Sequence, residues 1–443
     1  MAEFNAPTSK AEFEENFAQI KPLMTNNQAY YESSRCLFCY DAPCVKACPT
    51  AIDIPLFIKQ IHNTNTLGAA KTIYDSNVFG YACGKVCPTE VLCEGSCVYV
   101  HQGVKPIEIG RLQSFAVSKA MKDKVKLYNP APKANLKVAV IGAGPAGLAC
   151  ACELRLHGAD VVVYEAKSQP SGLTVHGVAP YKITNEETLE EMDYLQEQFG
   201  FEVRYNQLIA SKAQLDELEN GFDYVFLGIG LGLTSKLNIP GEDKSWVLGA
   251  VEWIEVLRNK QHNTPISGKV IVLGGGNTAM DAASETARMG AENVILAYRR
   301  SKDDMPAYEF EYDLAKGVGV KGLFNAAPIE IFENGDGKGV RFIKTKVEQG
   351  SVLELPGTEF EVTCDLVIKA TGQEKQTNFL SLISGLELDK GKIKVTAETG
   401  ETTNARYYAA GDAMSGGQEV VNAVADGKKA AKAILRKAGI LKA

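Results

Sequence analysis

Apolar residues at helical spacing run through the first third of the chain. Phe13, Phe17, Ile20 and Leu23 follow one another at intervals of three or four positions in a polar stretch, as on one face of a helix. Two later segments, IPLFIKQIHN and PIEIGRLQSFAVSKAMKDK, repeat this period. The YNPAPKANL that follows is rich in proline and asparagine and is typical of a linker. The pattern predicts a helical domain over residues 1–133.

After the linker, apolar residues come in short runs separated by glycines. KVAVIGAGPAGLACACELRLHGADVVVYEAK contains an apolar strand over 137–141, a glycine-rich turn, a helix and a second apolar strand. KVIVLGGGNTAMDAASETARMGAENVILAYRR repeats this order. Such a unit of about 30 residues is typical of a Rossmann fold. We therefore predict an α/β protein with an N-terminal all-α domain followed by two Rossmann-like dinucleotide-binding domains.

Length and charge narrow the class of protein. The 443 residues are enough for two or three domains. A net charge of -7 argues against nucleic acid or an anionic membrane as a partner. The most apolar run, VAVIGAGPAGLACAC, is too short to cross a bilayer. The N-terminal sequence MAEFNAPTSKAEFEENF has no export signal, so we expect a reducing, cytoplasmic location.

Eight of the eleven cysteines lie between Cys36 and Cys97. Three closely spaced cysteines followed by Cys-Pro resemble the ferredoxin sequence, in which the cysteine before proline ligates a second iron-sulfur cluster. The spacing therefore indicates two clusters with interleaved ligands. The two groups are Cys36, Cys39, Cys44 and Cys48 in RCLFCYDAPCVKACP, and Cys83, Cys87, Cys93 and Cys97 in YACGKVCPTEVLCEGSC.

Disulfides and structural zinc are the alternative interpretations of these cysteines. Disulfides need an oxidising compartment, which the N-terminal sequence does not indicate. Zinc sites usually combine two CxxC pairs for one ion, whereas only Cys36 and Cys39 form a strict CxxC here. The other three cysteines, Cys150, Cys152 and Cys364, lie in apolar runs and are expected to be buried.

The first glycine turn is predicted to bind the pyrophosphate of FAD. Glycines allow the pyrophosphate to approach the helix N-terminus, where free amides and the helix dipole favour an anion. Glu165, at the end of the second strand, would accept hydrogen bonds from the adenosine ribose. CDLVIKATG and the turn before the last long helix are expected to return to this nucleotide. The predicted FAD residues are Gly142, Gly144, Pro145, Ala146, Gly147, Glu165, Gly372, Gly411 and Asp412.

The second glycine turn is predicted to bind a nicotinamide dinucleotide. The strand after it ends in Arg299 and Arg300, where the first unit ends in Glu165. Guanidinium groups can bind a 2'-phosphate bidentately, so the pair favours NADP. NAD remains the alternative if the arginines are only an exposed charge run. The other predicted residues of this site are Gly274, Gly275, Gly276, Asn277 and Thr278.

These three kinds of cofactor would form an electron-transfer chain. NAD(P)H delivers two electrons as hydride, a cluster accepts one at a time, and a flavin can do both. Hydride transfer depends mainly on close stacking of the two rings. The sequence accordingly shows no obvious catalytic carboxylate or histidine, and it contains no GxSxG, HExxH or Walker lysine. No catalytic residue is assigned.

The order of these parts resembles one family. That family contains the small subunit of bacterial glutamate synthase, the N-terminal half of dihydropyrimidine dehydrogenase, and the separate bacterial subunit equivalent to that half. The resemblance extends from SRCLFCYDAPCVKACPT to the Gly411-Asp412 helix. Three details are similar to the dihydropyrimidine branch: DAPC at 41–44, the five residues between Cys87 and Cys93, and IGRLQ at 109–113.

The resemblance implies specific cluster ligands. One [4Fe-4S] cluster would be held by Cys36, Cys39, Cys44 and Cys97, and the other by Cys48, Cys87, Cys93 and the side chain of Gln113. Cys83 would then have no ligand role. The resemblance also implies a basic residue near the flavin, Lys182, and a FAD domain (134–240 and 364–443) interrupted by an NAD(P) domain (241–363).

A partner subunit is also implied. The chain has no length left for an FMN-containing TIM barrel of about 250 residues, so an FMN-containing subunit would reduce uracil or thymine. The alternatives are a subunit of the glutamate synthase type, a ferredoxin-NADP transhydrogenase type, and a non-enzymatic scaffold that binds zinc. Bacterial dihydropyrimidine subunits are associated with NADH, whereas the arginine pair is more similar to the relatives that use NADPH.

Overall fold

The chain divides into two compact units, each built from several chain segments. The computed structural model describes residues 4–264, 266, 268–335 and 337–442. Unit 1 contains the N-terminal residues as far as Gln19, His176–Tyr181 and Gly232–Glu374. Unit 2 contains Ile20–Val175, Lys182–Leu231 and the residues from Lys375 onward.

The N-terminal third is helical, as its apolar periodicity predicts. Thr25 begins the second helix with a capping box, in which its side chain and that of Gln28 bond each other's backbone amides. The first helix belongs to unit 1 and the others to unit 2. They are α1 (Lys10–Asn16), α2 (Asn26–Ser34), α3 (Pro43–Ala47), α4 (Ile54–His62), α5 (Thr66–Ser76), α6 (Gly80–Val86) and α7 (Ile109–Lys122).

Strands and helices alternate in the next segment. They are β1 (Lys137–Ile141), α8 (Pro145–Leu156), β2 (Asp160–Tyr164), α9 (Leu173–His176), α10 (Asn185–Phe199), β3 (Glu202–Arg204), α11 (Lys212–Gly221) and β4 (Tyr224–Leu227).

A second alternating segment follows in unit 1 and ends with antiparallel strands. Its elements are β5 (Val247–Gly249), α12 (Ala250–Lys260), β6 (Lys269–Leu273), α13 (Asn277–Arg288), β7 (Asn293–Tyr298), α14 (Glu309–Gly317), β8 (Lys321–Phe324), β9 (Ala326–Asn334), β10 (Gly337–Glu348), β11 (Ser351–Glu354), β12 (Phe360–Thr363) and β13 (Leu366–Lys369).

The C-terminal segment returns to unit 2. Its elements are α15 (Thr377–Leu380), β14 (Leu388–Asp389), β15 (Lys392–Ile393), β16 (Tyr407–Ala409), α16 (Asp412–Ser415) and α17 (Val420–Lys437).

Unit 2 contains a parallel sheet in the order β16-β4-β1-β2-β3, called the β1 sheet below. In its central strand, Val138, Ala139 and Val140 are fully buried, as expected of a parallel sheet covered on both faces. Ile141 pairs with Tyr164 of β2 and with Leu227 of β4. The strands therefore end at one common edge, which is where nucleotides bind in folds of this kind.

Unit 1 contains a matching parallel sheet in the order β5-β13-β6-β7-β8, called the β6 sheet below. Val270, Ile271 and Val272 of its central strand are fully buried. Strand β10 forms a separate antiparallel sheet with β9, β11 and β12. The predicted fold class is confirmed: a helical N-terminal region is followed by two Rossmann-like parallel sheets.

Strand β13 corrects one predicted boundary. The sequence assigned 364–443 to the FAD domain, but β13 pairs with β5 and β6 in the β6 sheet, and unit 1 continues to Glu374. The strand that occupies the equivalent place beside β1 is β4, from the segment DYVFLGIG. The two segments have almost the same apolar pattern, so only strand pairing shows which sheet each one joins.

The N-terminal boundary also differs from the prediction. Residues 1–133 were expected to form one helical domain, but the residues up to Gln19 belong to unit 1. Within that unit, Asn16 donates a hydrogen bond to the Arg288 carbonyl (2.7 Å). A Cβ on Gly290 would lie 2.4 Å from the Ala6 nitrogen, so the N-terminal segment packs closely on the end of α13.

Candidate functional site

Four thiols surround a pocket in the helical region, called the Cys36 pocket below. Its lining contains Cys36, Cys39, Cys44 and Cys97 together with apolar residues from α4 and the segment before α7. Cys44 lies on α3, whereas Cys36 follows α2. The sequence separates Cys97 from the other three by 53 residues or more, so the fold brings together the predicted ligand set of one cluster.

A second pocket, called the Cys87 pocket below, contains the remaining predicted ligands. Cys48, Cys87, Cys93 and Gln113 line it, and Cys83 lines it as well. Four thiols around a pocket, or three with an amide, fit a [4Fe-4S] cluster, each of whose irons takes one protein ligand. Within the described part of the chain, no three His, Cys, Asp or Glu side chains are grouped so as to hold a single metal ion.

Two glycines allow α6 and α7 to cross closely at the Cys87 pocket. A Cβ on Gly84 would lie 2.2 Å from the Ser114 hydroxyl, and one on Gly110 would lie 2.7 Å from the Gly84 carbonyl oxygen. This contact brings Cys87, at the end of α6, towards Gln113 on α7. Sequence reasoning missed both glycines, although a glycine inside a helix is a signal of close packing.

Gln113 is oriented by a hydrogen bond to α6. Its Nε2 donates to the Gly80 carbonyl (2.6 Å), and the residue is 6% exposed. The remaining polar atom of the side chain is therefore Oε1, an acceptor that can bind iron. Cys83 is also buried in this pocket, so the geometry alone leaves both residues available as the fourth ligand.

Burial raises the pKa of several thiols that line the two pockets. Burial raises the pKa of Cys44 to about 12, and the neighbouring Cys36 adds to this effect. Burial also raises the pKa of Cys36 and of Cys93. Cluster ligands are thiolates, so cluster binding must displace these protons.

Charged residues from α10 contact the start of α6. Both carboxylate oxygens of Glu191 accept backbone hydrogen bonds, from Tyr81 (2.6 Å) and Ala82 (2.9 Å). Burial raises the pKa of Glu191 to about 8, although these hydrogen bonds oppose the shift. Its two oxygens accept from amides that lack partners at the helix N-terminus, so Glu191 fixes α6 in place.

A buried ion pair lies one turn away on the same two helices. The Lys85 side chain is fully buried, and its Nζ lies 3.3 Å from Glu187 and donates to the Lys21 carbonyl (2.9 Å). Lys21 in turn donates to the Cys87 carbonyl (3.1 Å). Burial lowers the pKa of Lys85, and Glu187 opposes this effect. The Lys21 ammonium therefore contacts the backbone of a predicted ligand, and Lys85 is linked to it through the Lys21 carbonyl.

The first glycine turn has the geometry of a dinucleotide site. Gly142 has φ +101°, and a Cβ on Gly147 would lie 1.9 Å from the Gly142 carbonyl oxygen. Only glycine fits this close contact of turn and helix. Helix α8 begins at Pro145 with Gly144 as its N-cap residue. The amides at this helix end fit the pyrophosphate of a dinucleotide.

Glu165 lies at the predicted ribose position, and it also stabilises the glycine turn through hydrogen bonds. Its two oxygens accept hydrogen bonds from the Ala143 amide (2.8 Å) and the Lys167 amide (2.8 Å). A carboxylate has further lone pairs, so it can still accept from a ribose. The sequence did not predict its contact with Ala143.

The turn at Gly411 lies against the first glycine turn. A Cβ on Gly411 would lie 3.1 Å from that of Ala146, and one on Gly427 of α17 would lie 2.2 Å from the Ala146 carbonyl oxygen. Asp412 accepts a hydrogen bond from the Gln418 amide (3.0 Å), and burial raises its pKa. Lys182 is buried and lies two residues before Thr184, the N-cap of α10.

The second glycine turn repeats this geometry in unit 1. Gly274 has φ +154°, and Gly276 is the N-cap residue of α13, which begins at Asn277. The Asn277 side chain accepts a hydrogen bond from the Tyr308 amide (3.0 Å), and Thr278 is exposed. The start of α13 thus offers a second set of amides for a phosphate group.

Strand pairing shifts the predicted equivalence between Glu165 and the arginines. Gly142 donates to the Tyr164 carbonyl, and Gly274 donates to the Ala297 carbonyl. The residue equivalent to Glu165 is therefore Tyr298, whose ring lies 2.5 Å from a Cβ built on Gly275. Arg299 and Arg300 follow it, and Nε of Arg300 is buried without a hydrogen-bond partner among the described residues.

Gly372 lies in unit 1 and not with the predicted FAD residues. It follows β13, and its carbonyl accepts a hydrogen bond from the Ser235 amide (2.8 Å). A Cβ on Gly274 would lie 2.3 Å from the carbonyl oxygen of Ala370, so this turn packs on the second glycine turn. Beside Gly142, the residue equivalent to Ala370 is Gly228, whose carbonyl oxygen lies 2.4 Å from a Cβ built on Gly142.

Comparison with known families agrees with this geometry. Residues 13–125 match the family described as dihydropyrimidine dehydrogenase domain II, 4Fe-4S cluster. Residues 136–427 match the family described as pyridine nucleotide-disulphide oxidoreductase. The chain belongs to the pyridine nucleotide-disulphide oxidoreductase family. It is an NAD(P)H-dependent FAD oxidoreductase that also carries a 4Fe-4S cluster domain.

Two curated members of the family are similar over almost their whole length. The NAD-dependent dihydropyrimidine dehydrogenase subunit PreT of Escherichia coli (strain K12) is 33% identical over 417 residues, which cover 94% of this chain and 96% of that protein. The glutamate synthase [NADPH] small chain of the same organism is 32% identical over 444 residues, covering 95% and 93%. The chain is thus a flavin and iron-sulfur oxidoreductase subunit of this family.

Solved structures show the same fold. FprA from Mycobacterium tuberculosis, as a His-to-Gln mutant, has a TM-score of 0.58 at 19% identity and matches 70% of this chain and 85% of its own. FprA in complex with NADPH has a TM-score of 0.57 at the same identity and coverage. Among the described residues, no helix is both long and apolar enough to span a membrane.

Proposed function

We propose that this chain is the electron-input subunit of a dihydropyrimidine dehydrogenase. In this proposal electrons pass from NAD(P)H to FAD, then through two [4Fe-4S] clusters to an FMN-containing partner subunit that reduces uracil or thymine. A reducing cytoplasm is the proposed location, because thiolate ligands must stay reduced until the cluster is inserted.

The observation that carries this proposal is that unit 2 contains both the candidate cluster pockets and the candidate FAD turn. Both thiol-lined pockets and the glycine turn of the β1 sheet lie in this one compact unit. A flavin can exchange hydride with a nicotinamide and single electrons with a cluster. The arrangement therefore supports a flavin that feeds both clusters.

The chain's own residues bind and orient these groups. The amides at the start of α8 would hold the FAD pyrophosphate, and Glu165 would hold both the glycine turn and the ribose. The proposed ligands of the two clusters are those of the sequence analysis, with Gln113 in place of a fourth thiolate. Lys182 is proposed to lie near the flavin ring, where a cation would stabilise negative charge on the reduced flavin.

NADPH is the proposed nucleotide. At the position equivalent to Glu165, the β6 sheet has Tyr298, so a ribose 2'-hydroxyl lacks its usual carboxylate acceptor. Arg299 and Arg300 follow at once, and guanidinium groups favour a 2'-phosphate. NAD is the alternative, since PreT is named as NAD-dependent.

Exposed apolar side chains beside the Cys36 pocket support a partner subunit. Leu37 is 56% exposed, and Tyr40 is fully exposed, although both flank cysteines that line this pocket. PreT is itself named as a subunit. A partner that docked here would bring its cofactor close to the cluster.

The test is reconstitution with an FMN-containing dihydropyrimidine dehydrogenase subunit. The purified pair should oxidise NADPH when uracil or thymine is added under anaerobic conditions, and the chain alone should not. If the pair oxidises neither NADPH nor NADH with either pyrimidine, the proposed partner is wrong.

A subunit of the glutamate synthase type is the second candidate. The arginine pair favours it, because the similar glutamate synthase small chain is named as an NADPH enzyme. A glutamate synthase large subunit should then support NADPH oxidation with glutamine and 2-oxoglutarate. Parallel assays with both partners separate the two functions.

A further inference from the structure

Asn77 is a buried amide in the wall of the Cys87 pocket. It is the C-cap residue of α5, it is fully buried, and it lines this pocket together with the predicted cluster ligands. It has no role in the sites described above. A buried polar side chain at such a place requires hydrogen-bond partners for its amide group.

The orientation of this amide is fixed by chemistry. The backbone amide of Phe79, which can only donate, lies 2.9 Å from Oδ1 of Asn77. The atom bonded to Phe79 must therefore be the oxygen, and the NH₂ group is the other one. In the described part of the chain, Nδ2 is buried and has no hydrogen-bond acceptor.

The other polar side chains that line the pocket are engaged with the protein. Nε2 of Gln113 donates to the Gly80 carbonyl. The Thr89 hydroxyl accepts from Lys21 (2.9 Å) and lies 3.3 Å from a Glu90 carboxylate oxygen. Leaving a buried donor unpaired is costly. An acceptor supplied by a bound group would therefore complete the hydrogen bonding of Asn77.

We propose that Nδ2 of Asn77 donates a hydrogen bond to a sulfur atom of the cluster in the Cys87 pocket, and that this bond raises the reduction potential of that cluster. The proposal rests on the proposed function, which places a cluster there. Hydrogen bonds to the sulfurs are among the factors that set cluster potentials.

The direction follows from the charges. When one electron leaves the reduced flavin and enters the Cys87 pocket, the pocket gains one negative charge, and no bond forms or breaks. An N–H dipole that points at sulfur stabilises this more negative state more strongly than the oxidised one. Asn77 thus favours electron transfer from the flavin into this pocket without uptake of a proton.

Two substitutions and one matched control test the proposal on the full-length protein with its cofactors. Asn77→Asp keeps the oxygen that accepts from Phe79 but removes the donor. Asn77→Leu removes the donor without adding charge. Asn65→Asp makes the same change at the N-cap of α5, where the Asn65 side chain accepts from Gly68 and Asp is an equally good cap.

The measurement is a redox titration with a chemical reductant, followed by EPR. In both Asn77 variants the potential of the Cys87-pocket cluster should fall by up to about 59 mV, a tenfold change in its ratio of reduced to oxidised forms. The cluster of the Cys36 pocket and the Asn65→Asp protein should keep the wild-type potentials. Electron-nuclear double resonance should show an exchangeable proton coupled to the cluster in the wild type but not in the variants.

An unchanged potential and an unchanged proton coupling in Asn77→Leu would overturn the role of Asn77. If that variant fails to assemble, the proton coupling of Asn77→Asp decides instead, because this variant retains the bond to Phe79 but its added negative charge lowers the potential by itself. A wild-type protein whose iron content corresponds to one cluster would instead overturn the two-cluster function, and this inference with it. The titration needs neither nucleotide nor partner, so errors in those assignments cannot affect it.

Discussion

The side chain of Gln113 donates a hydrogen bond from Nε2 to the carbonyl oxygen of Gly80 at 2.6 Å. Gly80 is the first residue of α6, the helix that carries Cys83 and ends next to Cys87. One hydrogen bond therefore links the proposed amide ligand to the helix that positions a thiolate ligand of the same cluster. It also leaves Oε1 as the amide atom that can bind iron.

The first prediction concerns Cys83, within α6, and Cys87, directly after the last residue of that helix. Cys83→Ser should retain the iron and acid-labile sulfide of both clusters, because Gln113 supplies the fourth ligand. Cys87→Ser should lose about half of the iron, since a [4Fe-4S] cluster needs all of its protein ligands. Iron analysis and the EPR spectrum of the reduced protein give the result. Equal loss of iron in the two variants would make Cys83 the ligand instead.

The second prediction concerns the buried pair of Lys85 and Glu187. Lys85→Met removes a positive charge two residues from Cys87, so reduction of the cluster in the Cys87 pocket should become harder. Glu187→Gln removes a negative charge beside this ammonium and should make reduction of the cluster easier, while Gln still serves in the capping box of α10. Each shift should be a fivefold to tenfold change in the ratio of reduced to oxidised cluster, up to about 59 mV.

The exposed Lys212 provides the control for this pair. It forms a surface ion pair with Asp216 on α11, and solvent screens such charges. Lys212→Met should therefore leave both cluster potentials unchanged. Shifts of the same sign in Lys85→Met and Glu187→Gln would indicate a structural effect and would contradict the electrostatic explanation.

Local patterns were enough to predict the fold class and the positions of the two glycine turns. The dinucleotide turns depend on neighbouring residues: Gly142 needs a positive φ, and Gly147 must pack against it. Such requirements appear directly in a short stretch of sequence. The same holds for the spacing of the cysteines, although their division between two pockets came from the family resemblance.

Features that depend on strand pairing or distant packing could not be predicted in this way. CDLVIKATG and DYVFLGIG have nearly the same apolar pattern, and only pairing with β6 or β1 distinguishes them. The true equivalent of Glu165 is Tyr298, because register decides which residues face each other. Glu191 gave no sequence signal, since its partners Tyr81 and Ala82 lie about 110 residues away on α6. Asn77 gave none, because the acceptor proposed for its Nδ2 is not part of the chain.

The third prediction concerns Glu191 and pH. Its pKa is raised to about 8 in the folded protein from a normal value of 4.5, so the folded state binds a proton that the unfolded chain releases. Stability should then fall as pH rises from about 4.5 to about 8 and should change little beyond that. Each pH unit in this window corresponds to at most about 1.4 kcal/mol.

Glu191→Gln should remove this pH dependence. It should also leave one of the two α6 amides without an acceptor, at a cost of about 1–3 kcal/mol. The variant should therefore unfold at a clearly lower temperature than the wild type at pH 6, and the difference should shrink by pH 8. Glu190→Gln, at an exposed position on the same helix, is the control. A difference that stays constant between the two pH values would contradict the raised pKa.

The last prediction concerns nucleotide choice at the end of β7. Arg299→Ala and Arg300→Ala should each lower kcat/KM for NADPH roughly 10- to 100-fold, because a hydrogen bond between charged groups contributes about 1.5–3 kcal/mol. The value for NADH should change little, since NADH has no 2'-phosphate. Anaerobic reduction of the bound flavin, followed by absorbance, measures both rates without any partner subunit. Arg300 should have the larger effect, because its Nε is buried without a hydrogen-bond partner among the described residues. Equal losses with NADPH and NADH would show that the arginines hold the fold of this turn and do not recognise the phosphate.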